Sequence, residues 1–404
     1  MNDAIAILAV LALLSLALAL WQWLAARRFP LHRRVAKTDF APAISLLKPL
    51  KGCNDTTAES LQSWFQQNYP GQTQILFGVA DASDPVCAIV CRLIAENLEC
   101  DAQLVVCENL KGANAKVAKL VQLEKLAKYD LILVSDADVR VPPDFLANIV
   151  APLRDEKTGL VNCFYQLANP STTAMQWEAV AINADFWSQV LQSQTLKPLD
   201  FALGAVMLTR RKLLAEIGGF QSLADCLADD YQLGQRIAQR NCRIALCRVV
   251  VECWDPPMNW REVWKHQLRW ARTIRVCQPL PYFFSILSNA TLWPLLWLAS
   301  LSFKWLAMAV PGAQIDPFHS LEIRIALLAG TNFVIALLLV RVVLAQNLQR
   351  RFTPERKLIS PFWLVPVKDL LQAAIWFCAF TGNTVEWRGR KMKLRRDGTL
   401  VVVR

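Results

Sequence analysis

Asp130-Leu-Ile-Leu-Val-Ser-Asp-Ala-Asp138 decides the fold. Four apolar residues bounded by polar ones are too few for a core helix and read as a strand buried on both faces. Two carboxylates stand where that strand stops. Working upstream, Ala43-Ile-Ser-Leu-Leu47, Gln74-Ile-Leu-Phe-Gly-Val-Ala80 and Gln103-Leu-Val-Val-Cys107 have the same character. Helical stretches, Thr57–Gln67, Pro85–Asn97 and Ala115–Lys128, separate them. Strand–helix alternation predicts an α/β domain, a mostly parallel sheet with helices on both faces. Such sheets bind ligands beyond the carboxyl ends of their strands. Asp81 follows the second strand and Asp136-Ala-Asp138 the fourth.

Carboxylates two residues apart at a strand end can point into one crevice. Their hard oxygen ligands suit Mg2+ or Mn2+, which in turn clamps a diphosphate. A solvated turn leading to Pro142 and Pro143 explains the same residues, so the pair needs company. Lys48 closes the first strand, and Gly112-Ala-Asn-Ala-Lys116 precedes a helix whose backbone donors and lysine can meet phosphate. Asp229-Asp230 adds an acidic pair, and His266-Gln-Leu-Arg-Trp270 lies in a basic, Trp-rich helix, Asn259–Val276.

Outside this stretch the composition belongs to a membrane. Of 404 residues, 54% are hydrophobic yet 19% remain charged, too polar for membrane helices alone. Ala4–Ala26 is long enough to cross a hydrocarbon core, and its basic residues, Arg27, Arg28, Arg33, Arg34 and Lys37, follow it. That placement marks an uncleaved anchor with its N-terminus outside. Phe283–Val310 and Ile323–Leu344 are further apolar runs, joined by Pro311–Ser320, which has no Lys or Arg. Leu358–Phe380 carries Lys368 and Asp369 in its middle, and a basic tail follows. Parity of the basic flanks predicts three crossings, with 358–380 interfacial or re-entrant. The expected organisation is an anchor and linker at 1–40, a cytoplasmic domain at 41–278 and a membrane region with a basic tail at 279–404. The net charge of +11 reads as cytoplasmic flanking charge and attraction to anionic lipid, with no nucleic-acid partner. Twelve scattered cysteines and three histidines suggest free thiols and no zinc site.

Taken in order, the motifs resemble those of the ceramide glucosyltransferase-type, sphingolipid- or hopanoid-directed branch of the inverting family 2-type membrane glycosyltransferases. Val79-Ala-Asp81-Ala-Ser-Asp-Pro85, Ser135-Asp-Ala-Asp-Val-Arg140 and Ala228-Asp-Asp230-Tyr231 resemble that family's three aspartate motifs. His266-Gln-Leu-Arg269-Trp270 resembles (Q/R)xxRW, departing from it at His266. Ser45-Leu-Leu-Lys-Pro-Leu-Lys-Gly52 and Gly382-Asn-Thr-Val-Glu-Trp-Arg388 resemble the ceramide-directed branch.

The resemblance implies a nucleotide-sugar-binding domain of the GT-A type, a UDP-sugar donor and a membrane-lipid acceptor, ceramide-like or hopanoid. It assigns Asp230 as general base, with Asp229 the fallback, and Asp136 and Asp138 as metal ligands. Lys48, Asp81, Asn114, Lys116, Asp136 and Arg269 fall to the donor. Trp270 walls the acceptor site, and His266 either donates a hydrogen bond there or faces water. The expected reaction moves one hexose, glucose from UDP-glucose, onto a ceramide-like lipid. The alternatives are hexose or N-acetylhexosamine transfer to a hopanoid or other lipid, and a processive β-glycan synthase. The expected location is a multi-pass protein of a bacterial inner membrane rather than the Golgi, with its catalytic domain on the cytoplasmic side.

Overall fold

The computed structural model describes residues 2–35, 39–308, 317–354, 359–387, 390–395 and 397–402. The stretch 311–316 of the expected loop, Lys37, Arg388 and Arg404 lie outside them. Eight strands form the main sheet: β1 (Ile44–Pro49), β2 (Thr73–Val79), β3 (Asp101–Val106), β4 (Leu131–Ser135), β5 (Val139–Arg140), β6 (Thr158–Leu167), β7 (Val206–Arg210) and β8 (Arg243–Cys253). The helices are α1 (Asn2–Arg28), α2 (Thr57–Gln62), α3 (Val86–Glu96), α4 (Ala115–Leu126), α5 (Phe145–Val150), α6 (Thr173–Val180), α7 (Trp187–Leu196), α8 (Arg211–Glu216), α9 (Asp229–Ala238), α10 (Trp260–Cys277), α11 (Pro279–Phe284), α12 (Leu292–Met308), α13 (Pro317–Phe352) and α14 (Leu364–Phe380). A π-helical turn, Ala181–Phe186, joins α6 to α7.

The strand order is β3-β2-β1-β4-β7-β6-β8-β5. Strands β3, β2, β1 and β4 run parallel, as the alternation predicts. All six residues of β1 and all five of β4 are buried, which is why these strands are mostly apolar, with Ser45, Lys48 and Ser135 the polar residues among them. Beyond them the sheet is mixed: β7 is antiparallel to β4 and β6, β6 is parallel to β8, and the short β5 is antiparallel to β8. The chain winds outward from β1 to β3, then returns to lay β4 on the other side of β1. The β1/β4 pair is therefore the point where the order reverses, and its carboxyl ends, Lys48 and Ser135-Asp136, open on the crevice. Apolar layers cover both faces, one around Phe77, Phe145 and Val161 and the other around Trp177, Trp187 and Phe164.

Among the described residues, two helices, Asp3–Arg28 and Arg324–Phe352, are long and apolar enough to cross a membrane. The expected run Phe283–Val310 is not one straight helix. Pro279–Ser288 meets Leu292–Leu306 at 53°, and the bent pair passes only if counted as one span. Asn289 sets the bend. Its Oδ1 accepts from Leu292 N at 2.9 Å, while its Nδ2 donates to the Asp369 carbonyl at 2.6 Å.

The charges in the second turn of α14, Lys368 and Asp369, are buried. Arg341 Nη2 lies 2.7 Å from Asp185 and 2.8 Å from Asp369, and Lys368 pairs with both carboxylates. The tail also does more than carry charge. Strands β9 (Thr384–Trp387), β10 (Arg390–Leu394) and β11 (Leu400–Val402) form an antiparallel sheet. Val385, Met392, Leu394 and Leu400 pack on Leu227, and the backbone bonds Leu400 N to Asp225 O at 2.8 Å.

Candidate active site

At the switch point the end of β4 delivers Asp136 and Asp138, and the first turn of α9 delivers Asp229 and Asp230. Gly204 brings the two motifs together. Its N–H donates to Asp230 Oδ2 at 2.6 Å. A side-chain carbon built there would lie 3.1 Å from that oxygen and 3.8 Å from Asp136 Oδ2. Only glycine leaves this gap open. The next residue, Ala205, is buried at φ 80°, a strained conformation for alanine, and its carbonyl accepts the Asp136 N–H at 2.9 Å.

Lys116 cross-links the motifs, with Nζ 2.7 Å from Asp136 Oδ1 and 3.2 Å from Asp229 Oδ2. Burial works against its charge, but Asp136 and Asp229 outweigh it and hold its pKa above the usual lysine value. Asn114 caps α4: its Oδ1 accepts from Lys116 N at 3.0 Å and Val117 N at 3.3 Å. Its Nδ2 donates to the Cys226 carbonyl at 2.9 Å and Asp229 Oδ1 at 3.3 Å. Asn114 therefore braces the site from within. Lys48 is wholly buried beneath it, donating to Ser135 Oγ at 3.0 Å and the Asp136 carbonyl at 2.7 Å, with its ammonium over the Trp64 ring. Burial lowers it to about 7, partly offset by Asp138 and Asp136. Lys48 faces the turn that holds Asp136 rather than the crevice.

The three carboxyls facing the crevice are held in different states. Burial raises Asp136, but Lys116 and then Lys48 outweigh it and leave its pKa lowered. Asp138 is pushed up to about 7 by burial, then by Asp255 and Asp136. Asp230 is raised to about 6 by burial and by Asp229. Separated pKa values among neighbouring acids are the pattern of acid–base and metal sites.

Helix α10 supplies the other wall, started by a capping box between Asn259 and Glu262. His266 Nδ1 lies 2.7 Å from Glu178 Oε1, and its ring meets Trp270 edge-on at 4.8 Å. Trp270 packs against Phe186 at 5.9 Å. Arg269 and His266 both act on Asp255, whose carboxyl burial raises. Three other basic residues of α10 hold the tail: Lys265 pairs with Glu386 at 2.8 Å, Arg272 donates to the Thr384 carbonyl, and Arg275 donates to Asn383 Oδ1. That gives the Gly382–Trp387 motif a place beside the site. Asp81 is exposed, and its partner is Ser83 of its own turn. Sequence reading did not single out Glu178, Asp255 or Tyr165. Each is one polar residue at a strand or helix end, with no motif around it to signal a role.

A family model described as Glycosyl transferase family 21 matches residues 7–400. Ceramide glucosyltransferase 1 of Caenorhabditis elegans is 22% identical over 219 residues, covering 54% of this chain and 47% of the worm protein. Ceramide glucosyltransferase of Candida albicans is 35% identical over 121 residues, 27% of this chain and 22% of the fungal one. The chain thus spans about half the length, or less, of these curated relatives. Among solved structures, the mannosyltransferase PcManGT from Pyrobaculum calidifontis, in complex with GDP-Man and Mn2+, matches at a TM-score of 0.50 and 19% identity, over 88% of this chain and 100% of that one. At that identity the likeness is one of fold, and the fold is of the GT-A type.

Proposed function

The chain belongs to glycosyl transferase family 21, and on that premise we propose that it transfers one hexose, glucose from UDP-glucose, to a hydroxyl of a ceramide-like lipid at the cytoplasmic face of a bacterial inner membrane. The observation that carries the reading is the convergence of Asp136 and Asp230 on the Gly204 gap. It sets an acid of the donor side against one able to take a proton.

The donor set fits a divalent cation. Asp136 and Asp138 offer carboxylate oxygens at one strand end, and Asp138 has its pKa raised by burial and like charge, a state a cation relieves. Such an ion would neutralise charge on the diphosphate. The remaining steps belong to the chain's own residues. Asp230, with its pKa at about 6, is ionised at neutral pH and accepts the acceptor's proton. As that O–H bond breaks, the acceptor oxygen bonds to the anomeric carbon from the face opposite the donor. The carbon–oxygen bond to UDP breaks, and UDP leaves with the electron pair. Lys116 holds Asp136 and Asp229 in place, and Arg269 supplies a permanent positive charge on the opposite wall. Trp260 and Ile274, exposed on α10, suit a helix that meets lipid.

The experiment is transfer by purified full-length protein in detergent, with labelled UDP-glucose and UDP-N-acetylglucosamine against a panel of ceramide, polyhydroxylated hopanoid, sterol and soluble glucan acceptors. Product on ceramide from UDP-glucose is expected. Hopanoid product would shift the acceptor, polymer would indicate a synthase, and absence of transfer to any acceptor would overturn the reading.

A further inference from the structure

The reaction outlined above makes no use of a second carboxylate system in the cleft wall. Glu178, in the last turn of α6, is fully buried. Its Oε1 lies 2.7 Å from His266 Nδ1 and accepts from Gln267 Nε2 at 2.8 Å. Its Oε2 has no hydrogen-bond partner among the described residues. With the proton on His266 Nδ1, the ring donates across the 2.7 Å contact and the Glu178 oxygen accepts. In the neutral ring Nε2 is then an acceptor. The ring is also held sterically, edge-on to Trp270, which leans on Phe186. With 23% of its side chain exposed, His266 is open to solvent. Electrostatic neighbours tie the pair to the reaction centre. Asp255 lies in the fields of His266, Glu178, Arg269 and Asp136, and the Tyr165 hydroxyl in those of Asp230, Asp136 and Glu178.

We propose that His266, oriented by Glu178 and backed by Trp270, selects the acceptor: its Nε2 accepts a hydrogen bond from a second donor on the lipid headgroup, next to the hydroxyl that reacts. The ligand class is a lipid with two neighbouring hydrogen-bond donors, a diol or an amido-alcohol, and not a monohydroxylated one. His266 takes no proton from the reacting atoms. It is a positioning residue, and its role rests on the glycosyl-transfer reading above.

The experiment uses full-length protein in detergent–lipid micelles, with the acceptor that the wild type uses and an analogue lacking the neighbouring donor. The wild type is expected to favour the intact acceptor by about tenfold in kcat/KM, the scale of one neutral hydrogen bond. His266→Phe should abolish that preference, raising KM for the intact acceptor about tenfold while kcat and the donor KM stay close to wild type. His266→Gln keeps an acceptor oxygen and should restore much of the preference. If His266→Phe is unstable beside the buried carboxylate, Glu178→Gln combined with it removes the uncompensated charge and is read in the same way. Retention of the preference by His266→Phe or by the double variant overturns the inference alone, as does a change confined to the donor KM. A wild type that transfers to no lipid overturns the parent reading and this one together.

Discussion

Replacing Asp230 by Asn separates chemistry from binding and from folding. Both carboxylate oxygens accept backbone N–H groups, Gly204 N at 2.6 Å and Tyr231 N at 2.7 Å. Asn has one acceptor oxygen, so its NH2 must face one of these donors, at about 1–3 kcal/mol. Against that, the substitution removes a buried charge beside Asp229. The carboxyl's pKa is about 6 in the fold against an ordinary 3.8, so at neutral pH the ionised form costs about 3 kcal/mol of stability. The sign follows from the raised pKa: stability is lost as pH rises from about 4 through 6, and Asn is free of that loss. The two effects nearly cancel, so the variant should fold with a Tm close to wild type. Turnover should fall at least a hundredfold, since general-base catalysis contributes about 10² to 10⁴ in rate. Calorimetric UDP titration should give a Kd within a few-fold of wild type. Wild-type kcat should drop as pH falls through about 6, a limb that the Asp230→Asn variant cannot show. The assignment fails if UDP binding is lost while saturated turnover survives, or if Asp229→Asn carries the larger kcat loss. Asp229 is engaged by Lys116 and Asn114, so its amide should chiefly raise the donor KM.

Other perturbations probe the frame around this chemistry. EDTA should abolish transfer, with recovery on adding Mg2+ or Mn2+, and Asp138→Asn should weaken UDP binding; full activity in chelator would remove the metal from the site. Asp185→Asn leaves Arg341 and Lys368 facing Asp369 alone, so thermal unfolding should show a loss of about 3–5 kcal/mol. In Gly234→Ala the new carbon would stand 2.0 Å from Ala202 N, a backbone atom that cannot swing aside. Helix α9 must then shift and carry Asp230 with it, costing about 3 kcal/mol or more and most of the activity. Tags after Lys37 and at Arg404 should both be protected from protease in sealed right-side-out vesicles; access to Arg404 alone would mean that 358–380 crosses the bilayer.

Strands β1, β2 and β4 were legible because burial on both faces favours a mostly apolar run, a constraint each segment carries in itself, whereas β3, the edge strand, has no buried residue and showed only through Leu104-Val105-Val106. Helix α10 was equally plain, since its cap, Asn259 with Glu262, lies within four residues of sequence. The mixed half of the sheet was not legible. Strand β7 sits between β4 and β6 through contacts far apart in the chain, and nothing local states its direction. The tail read as loose basic charge. Its strands exist because Leu400, Leu394 and Met392 find Leu227, and the basic face of α10 is taken up by that tail.

The identities of the acids, their order and the types of the elements that carry them were settled by the sequence alone. Their states were not. Asp136, Asp138 and Asp230 are the same side chain, and what sets them apart is distance to Lys116, Asp255 and Asp229. Lys48 ends a strand beside the site but points beneath it, because strand alternation and the Trp64 ring decide its direction. Glu178 became visible only when α6 met α10. Residue type follows from sequence; electrostatic state follows from proximity across the fold, which is a tertiary property.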